Sequence, residues 1–313
     1  MNYINTVEAP SELSRYARCI DASKRVRWDI DKDVIKNRQF DTKQKYLPDG
    51  IFKAELFETL SDNEKRYLSQ IQGRTYANMF GLVERFINAK VLEISRDHWL
   101  GEQTKLEALV RFSEEELKHQ ELFRRIEKLI GDAMPAGYAF APQPDPVAEV
   151  VLGKSTWSVL GLTLMIELFT QAHYRESIAD DQNLSPLYKD VFRFHWLEES
   201  QHAILDELEW QREDAKLTDA ERDAAVTDLI ELAVAVDGIL QAQADADADY
   251  FAATNARTVG EDEFTMIRDG ILKAYRWQYI FSGATHPHFQ KVITSLASEE
   301  QMARIGAALD TLL

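Results

Sequence analysis

An all-α fold built on a four-helix bundle is predicted for this chain by three observations. Apolar residues return at steps of three and four through several long stretches, the period of a helix with one buried face. Capping signals open some of those stretches, and turn signals separate them. Glutamate and histidine sit at the centres of the apolar stripes, in two matched halves, and no stretch reads convincingly as a strand. With 313 residues, 45% of them hydrophobic, the chain can bury a large core. It reads as one domain, residues 1–313: an N-terminal arm (1–60), a four-helix core (61–212) and additional helices (213–313).

The arm reads as irregular, with one or two short helices, and ends in the turn signal Tyr46-Leu47-Pro48-Asp49-Gly50. Ser61-Asp62-Asn63-Glu64 has the form of a capping box and opens a helix to about Arg96. Its stripe is Tyr76, Phe80, Val83, Ile87 and Val91, with Glu84 on the same face. A second helix, about Glu102 to Ile130, carries Leu109, Phe112, Glu116, His119, Phe123, Ile126 and Ile130 at core spacing. Pro135, Pro142, Pro144 and Pro146 then mark a stretch read as non-helical, a long crossover between two helical pairs. A third helix, about Ser155 to Ala179, places Glu167 in the middle of the stripe Leu160, Leu164, Gln171, Tyr174 and Ile178.

The fourth, about Pro186 to Arg212, has His195, Glu199 and His202 where three apolar residues are expected, between Tyr188, Val191 and Leu205. Thr218-Asp219-Ala220-Glu221 is a second capping box and opens a fifth helix to about Phe251. Its Ala-Asp alternation from Ala242 to Asp249 reads as a solvated face. A sixth helix, about Asp262 to Phe281, stops at Gly283, and a tail helix starts near Phe289.

The formal net charge is -17, from 53 acidic and 36 basic residues, which opposes nonspecific binding to nucleic acid or anionic membrane. The single cysteine, Cys19, excludes an internal disulfide framework and a Cys-built zinc or iron-sulfur site. No apolar run reaches the roughly 18 residues that span a bilayer, and the N-terminus lacks a signal peptide's apolar centre. The expectation is a cytoplasmic protein.

Polar residues on an apolar stripe are costly unless they share partners. Glu116 with His119 and Glu199 with His202 are Glu-x-x-His pairs, which present a carboxylate and an imidazole on one helix face. Each pair follows a lone glutamate by 32 positions: Glu84 precedes Glu116, and Glu167 precedes Glu199. Two Glu-x-x-His helices and two lone-Glu helices are the ligand set of a di-metal carboxylate bundle. Mixed nitrogen and oxygen ligation suits iron or manganese.

Glu93 is a rival to Glu84 nearer the helix end, and Glu176 reads as exposed. Glu114, Glu115 and Glu198 adjoin the candidate ligands and read as surface charge or as acceptors behind them. His195, four positions before Glu199 on the same face, is a seventh candidate ligand, with an ordinary hydrogen-bonded core histidine as the alternative. His98, His173, His286 and His288 lack matched partners.

These residues resemble the ferritin-like di-iron carboxylate superfamily, and His195-x-x-x-Glu199-x-x-His202 is most similar to the arylamine N-oxygenases of the p-aminobenzoate N-oxygenase type. The resemblance covers about Ser61 to Arg212. It implies that Glu84, Glu116, His119, Glu167, His195, Glu199 and His202 are metal ligands. It also implies two iron ions, with manganese or a mixed Mn/Fe pair as variants. Phe123 stands where the small subunit of class I ribonucleotide reductase carries its radical tyrosine, so generation of a tyrosyl radical is not expected. No Cys-x-x-Cys module supplies a rubrerythrin-like relay, and bacterioferritin-like storage usually needs about half this length.

The function that the resemblance implies is that of a non-haem di-iron oxygenase. It would activate dioxygen to oxidise a small organic substrate, through N-oxygenation of an arylamine, with electrons from an external donor. The alternative is a ferritin-like metal- or ligand-binding protein, or an oxidase without N-oxygenase activity. Pocket candidates are Tyr76, Phe80, Phe112, Tyr174 and Trp196, each also explicable as core packing. Such bundles often pair, which leads to the expectation of a homodimer.

Overall fold

The computed structural model describes residues 11–313. Helix α1 (Glu12–Arg25) is capped by Ser11, whose side chain accepts from the Ser14 amide. It packs on two later helices and ties to the second of them by a hydrogen bond from the Tyr16 hydroxyl to Glu209 Oε1, 2.6 Å long. From residue 11 on, the arm is therefore more regular than its sequence suggests, its first ten positions lying outside the described residues: it also holds a π-turn at Ile30–Ile35 and short turns at Asp49–Phe52 and Ala54–Phe57. Its last loop crosses the bundle closely. A Cβ at Gly73 would lie 2.7 Å from that of Tyr46, so only glycine admits the crossing.

Four long helices form the bundle. Helix α2 (Asp62–Ser95) opens with the expected capping box: Ser61 Oγ accepts from the Glu64 amide, and the Glu64 carboxylate accepts from the Ser61 amide. Helix α3 (Gln103–Ala133) packs along it. Helix α4 (Pro144–Leu152) follows, and here the structure corrects the reading of a non-helical proline stretch. Pro144 and Pro146 fall in the first turn, where the backbone N–H groups have no intrahelical acceptor and a missing one costs nothing.

Helix α5 (Thr156–His173) continues into a wider π-turn, Tyr174–Ile178. It pairs with α6 (Pro186–Asp214), and the two pairs meet through α2 against α5 and α3 against α6. Helix α7 (Asp219–Thr254), opened by the Thr218 capping box, lies across α5 and α2. Helices α8 (Glu261–Arg276), α9 (Pro287–Leu296) and α10 (Glu299–Asp310) complete the cover, so the predicted tail helix is two helices. Among the described residues there is no strand, only an isolated bridge between Lys45 and Leu184. No helix among them is long and apolar enough to cross a membrane.

The Ala-Asp run on α7 is not wholly a solvated face. Asp247 is fully buried and accepts hydrogen bonds from Thr75 Oγ1 at 2.7 Å, from Gln243 Nε2 at 2.9 Å and from the Tyr275 hydroxyl. Burial raises its carboxyl to about 7, against the pull of those hydrogen bonds. A raised folded value means that Asp247 supports the fold most below its unfolded value of about 3.9 and loses that support as pH rises towards 7. D247N, neutral at every pH, is expected to flatten this part of the profile, worth up to about 4 kcal/mol. Urea midpoints at acidic and neutral pH for both proteins measure it.

Candidate metal centre

The helical period brings the predicted residues to one place. Glu84 comes from α2, Glu116 and His119 from α3, Glu167 from α5, and His195, Glu199 and His202 from α6, and all seven are buried. Glu93 instead lies on the surface, paired with Lys90, and Glu176 is exposed.

His119 Nδ1 stands 3.1 Å from Glu199 Oε1, 3.6 Å from Glu84 Oε2 and 3.7 Å from Glu116 Oε1. His202 Nδ1 stands 3.1 Å from Glu116 Oε1 and 3.2 Å from Glu199 Oε2. His195 Nε2 lies 2.8 Å from both Glu84 Oε1 and Glu199 Oε1. Two overlapping groups result: Glu84, His119, His195 and Glu199, and Glu116, His119, Glu199 and His202. Within each, the donor atoms lie within 4.8 Å of one another. Glu167 belongs to neither group, and its carboxyl lies against that of Glu199.

Behind two of the histidines stand carboxylates that the sequence left undecided. Glu198 is buried and its Oε2 lies 2.9 Å from His119 Nε2, while Glu115, also buried, places Oε2 2.9 Å from His202 Nε2. The arrangement crosses over: each Glu-x-x-His is preceded by a second glutamate that holds the histidine of the opposite helix. The doublets Glu115-Glu116 and Glu198-Glu199 are the sequence signal for it. Glu114 is exposed and takes no part. Lys118 Nζ holds the other oxygen of Glu198 at 2.5 Å, and Gln201 Nε2 donates to Glu115 at 2.7 Å.

A carboxylate on Nε2 keeps the proton there, so Nδ1 is free to bind a cation. E198Q is expected to loosen His119 and lower metal affinity about 10- to 100-fold while leaving the helix content unchanged. Titration against a chelator and circular dichroism measure the two.

The cluster fits a cation better than it fits itself. Both oxygens of Glu116, His119 Nδ1 and Glu199 Oε1 are buried without a hydrogen bond of good geometry. Burial, then the neighbouring charge of Glu84, holds the Glu116 carboxyl well above its usual range. Burial and then Glu199 do the same to Glu167. For His119 and His202, burial is the largest influence and acts downward, yet Glu199 and the other carboxylates together hold both imidazoles high. Burial acts downward on His195 as well, yet the same carboxylates leave it raised, so five of the seven groups favour a proton, and Glu84 and Glu199, both held low, have none to give. Buried carboxylates and imidazoles that leave lone pairs aimed at one space are a donor set for two cations of the iron or manganese kind.

Aromatic rings wall the cluster. Phe80, Phe123 and Phe192 stand edge-on to His195 with centroids at 5.2, 5.0 and 6.3 Å, and Phe112 stacks on His202 at 3.9 Å. Trp28, from the arm, lies parallel to His119 at 6.2 Å. Tyr76 hydrogen-bonds His173 at 2.8 Å, and Tyr174 stacks on Trp196 at 4.8 Å. The remaining histidines stand outside both groups. Burial drives His173 down to about 3, His98 pairs with Glu209 at 3.2 Å, His288 pairs with Glu207 at 3.1 Å, and His286 caps α9.

Solved structures of R2-like ligand-binding oxidase resemble this chain. One, with aerobically reconstituted metal cofactor after photoconversion, has a TM-score of 0.44 and 16% identity over 88% of this chain and 94% of that one. Another, a long soak with aerobically reconstituted Mn/Fe cofactor, has a TM-score of 0.44 and 15% identity over 86% of this chain and 91% of that one. No curated protein matches the chain. The family model described as p-aminobenzoate N-oxygenase AurF matches residues 2–258, and the chain belongs to that family.

Proposed function

We propose that this protein is a dinuclear oxygenase that uses dioxygen to N-oxygenate an arylamine. Its family makes it a metal-dependent oxidoreductase. The observation that carries the finer reading is His195, whose Nε2 lies 2.8 Å from both Glu84 and Glu199, the two carboxylates that also face His119 Nδ1. Glu84, His119 and His195 would hold one iron ion, and Glu167 and His202 the other. Glu116 and Glu199 would complete the donor set. Glu199 supports this by turning Oε1 towards His119 and His195 and Oε2 towards His202. Manganese at one position suits the same donors.

When bound, the ions supply the redox chemistry that reduces dioxygen and delivers one oxygen atom to substrate. Hydroxylation of ArNH2 to ArNHOH takes one dioxygen, two protons and two electrons, and leaves one water, so a separate reductant is required. The chain's own part is to fix the ligands, to keep a proton on Nε2 of His119 and of His202 by donation to Glu198 and Glu115, and to keep water out with the rings around His195. The test is oxygen uptake by the ferrous-loaded protein with a panel of arylamines, and mass analysis of products. Uptake that rises with arylamine, with hydroxylamine formed, is the expected result. Uptake indifferent to every amine would replace this reading with that of an oxidase without N-oxygenase activity.

A further inference from the structure

We propose that Tyr76 is a redox-active residue, which gives one electron to the metal centre after dioxygen has oxidised it and gives its phenolic proton to His173. The proposal rests on the oxygenase reading for its oxidant alone. Around His173 the direction of each hydrogen bond is fixed by the next. The Ser282 hydroxyl donates to the Gln278 carbonyl at 2.9 Å, and a carbonyl can only accept. Ser282 Oγ, 3.0 Å from His173 Nε2, therefore accepts from an Nε2–H. With the ring's proton on Nε2, Nδ1 keeps a bare lone pair, and the Tyr76 hydroxyl, 2.8 Å away, donates to it. Burial, then the charge of Lys53, holds His173 down at about 3, so the ring is neutral at neutral pH. Two π-turns meet at this pair: Tyr174–Ile178 begins just after His173, and Trp277–Phe281, at the end of α8, holds Gln278 and leads to Ser282. Such turns are rare and gather at functional sites.

Position selects this phenol. Its ring lies 4.9 Å from Phe80 and 5.1 Å from Phe192, and both of those rings stand edge-on to His195. One ring therefore separates Tyr76 from the cluster. Phe123, which touches His195 directly, has no phenol to oxidise. Neighbouring phenols lack a base or stand farther off. Tyr188 donates to the Gly73 carbonyl, which cannot hold a proton, and the Tyr279 hydroxyl, whose ring is 5.9 Å from that of Tyr76, has no partner. Tyr275 donates to the Asp247 carboxylate, but it stands behind Tyr279, 5.8 Å from that ring.

Burial holds the Tyr76 phenol well above its usual range, so it carries its proton before any electron leaves. Loss of an electron turns a phenol into a strong acid, which yields its proton even to a weak base. The O–H bond then breaks, an N–H bond forms at Nδ1, His173 becomes an imidazolium, and the metal centre is reduced by one electron. One electron from the external reductant reverses the step and returns the proton to the phenol. When dioxygen reacts with no amine bound, Tyr76 is thus oxidised in place of the buried ligands.

The experiment is freeze-quench EPR of the ferrous-loaded full chain mixed with dioxygen and no amine, with ordinary and with ring-deuterated tyrosine. The expected result is a tyrosyl signal that narrows on deuteration, is lost in Y76F and persists in Y279F. H173L, which removes the hydrogen bond but not the phenol, should weaken and reshape it. Unchanged metal content in each variant shows that the cluster is intact. Oxygen uptake without a tyrosyl signal, or a signal of equal size in Y76F, would overturn the proposal. Failure of the oxygenase reading looks different: the ferrous-loaded protein consumes no oxygen. The pair is then read in the frozen metal-free protein after ultraviolet photolysis. A tyrosyl radical that outlasts warming in the parent chain and is lost in Y76F upholds the pair, and one indifferent to Y76F overturns it.

Discussion

Replacing Glu116 by glutamine is expected to lower bound metal from two ions to below one per chain and, at the same time, to make the metal-free protein more stable. The opposite signs follow from the setting of this side chain. Glu116 is completely buried, neither of its oxygens has a hydrogen bond of good geometry, and Glu84 crowds it. Without a cation, burial and Glu84 force the carboxyl to take up a proton on folding at neutral pH, a cost that E116Q removes at nearly constant volume, a gain of roughly 1–3 kcal/mol. With cations, ligand binding to the native state adds stability that grows with the ratio of metal concentration to dissociation constant. E116Q forfeits that increment. Urea midpoints of both proteins with and without ferrous iron, with elemental analysis of each, give the four numbers needed. A purely structural carboxylate would show the reverse: E116Q less stable without metal, and no metal-dependent difference between the two proteins.

Helices and stripes were legible in this chain because burial imposes a period on sequence, and the same period exposed the seven polar residues as exceptions. The lone glutamates needed the second half for support: Glu84 and Glu167 mean little singly, and a shared spacing of 32 to Glu116 and Glu199 is what set them apart. What periodicity does not carry is the partner of a side chain across helices. Glu115 and Glu198 could be read as surface charge because they adjoin the stripe; their burial comes from histidines on the facing helix. Asp247 was misplaced for the same reason. Its hydrogen bonds come from Thr75 on α2 and Tyr275 on α8, far apart in sequence.

Two other features depend on context rather than pattern. Proline reads as a helix breaker after α3, but at Pro144 it starts a helix, and that helix covers an apolar pocket of about 280 Å³ against α2, α5 and α7. The pocket candidates Tyr76, Phe80, Phe112, Tyr174 and Trp196 do not line this pocket. Phe80 and Phe112 stand against His195 and His202, Tyr76 against His173 and Tyr174 against Trp196, whereas the wall of this pocket is mostly aliphatic. Apart from Val83, at its edge, the stripe residues of α2 point at the bundle axis, while this pocket lies on the outer faces of α2 and α5, under α4 and α7.

His195 is the position where a ligand and a core histidine make different predictions. His119 and His202 are each turned by a carboxylate on the far nitrogen, but His195 Nδ1 is buried with no partner. Its ring is aimed instead by the box of Phe80, Phe123 and Phe192. A histidine kept for core hydrogen bonding would be expected to satisfy both nitrogens; this one offers Nε2 to Glu84 and Glu199 and leaves the other bare. H195A is therefore expected to weaken one of two metal sites about 100-fold or more and leave the site of His202 and Glu167 nearly intact. Two-step chelator titrations read the split, and X-ray absorption should lose imidazole scattering at one metal only. F123A should act in the same direction but less, about tenfold, because it frees the ring without removing the nitrogen. Retention of both ions at full affinity in H195A would assign His195 to the core and withdraw the observation on which the N-oxygenase reading rests.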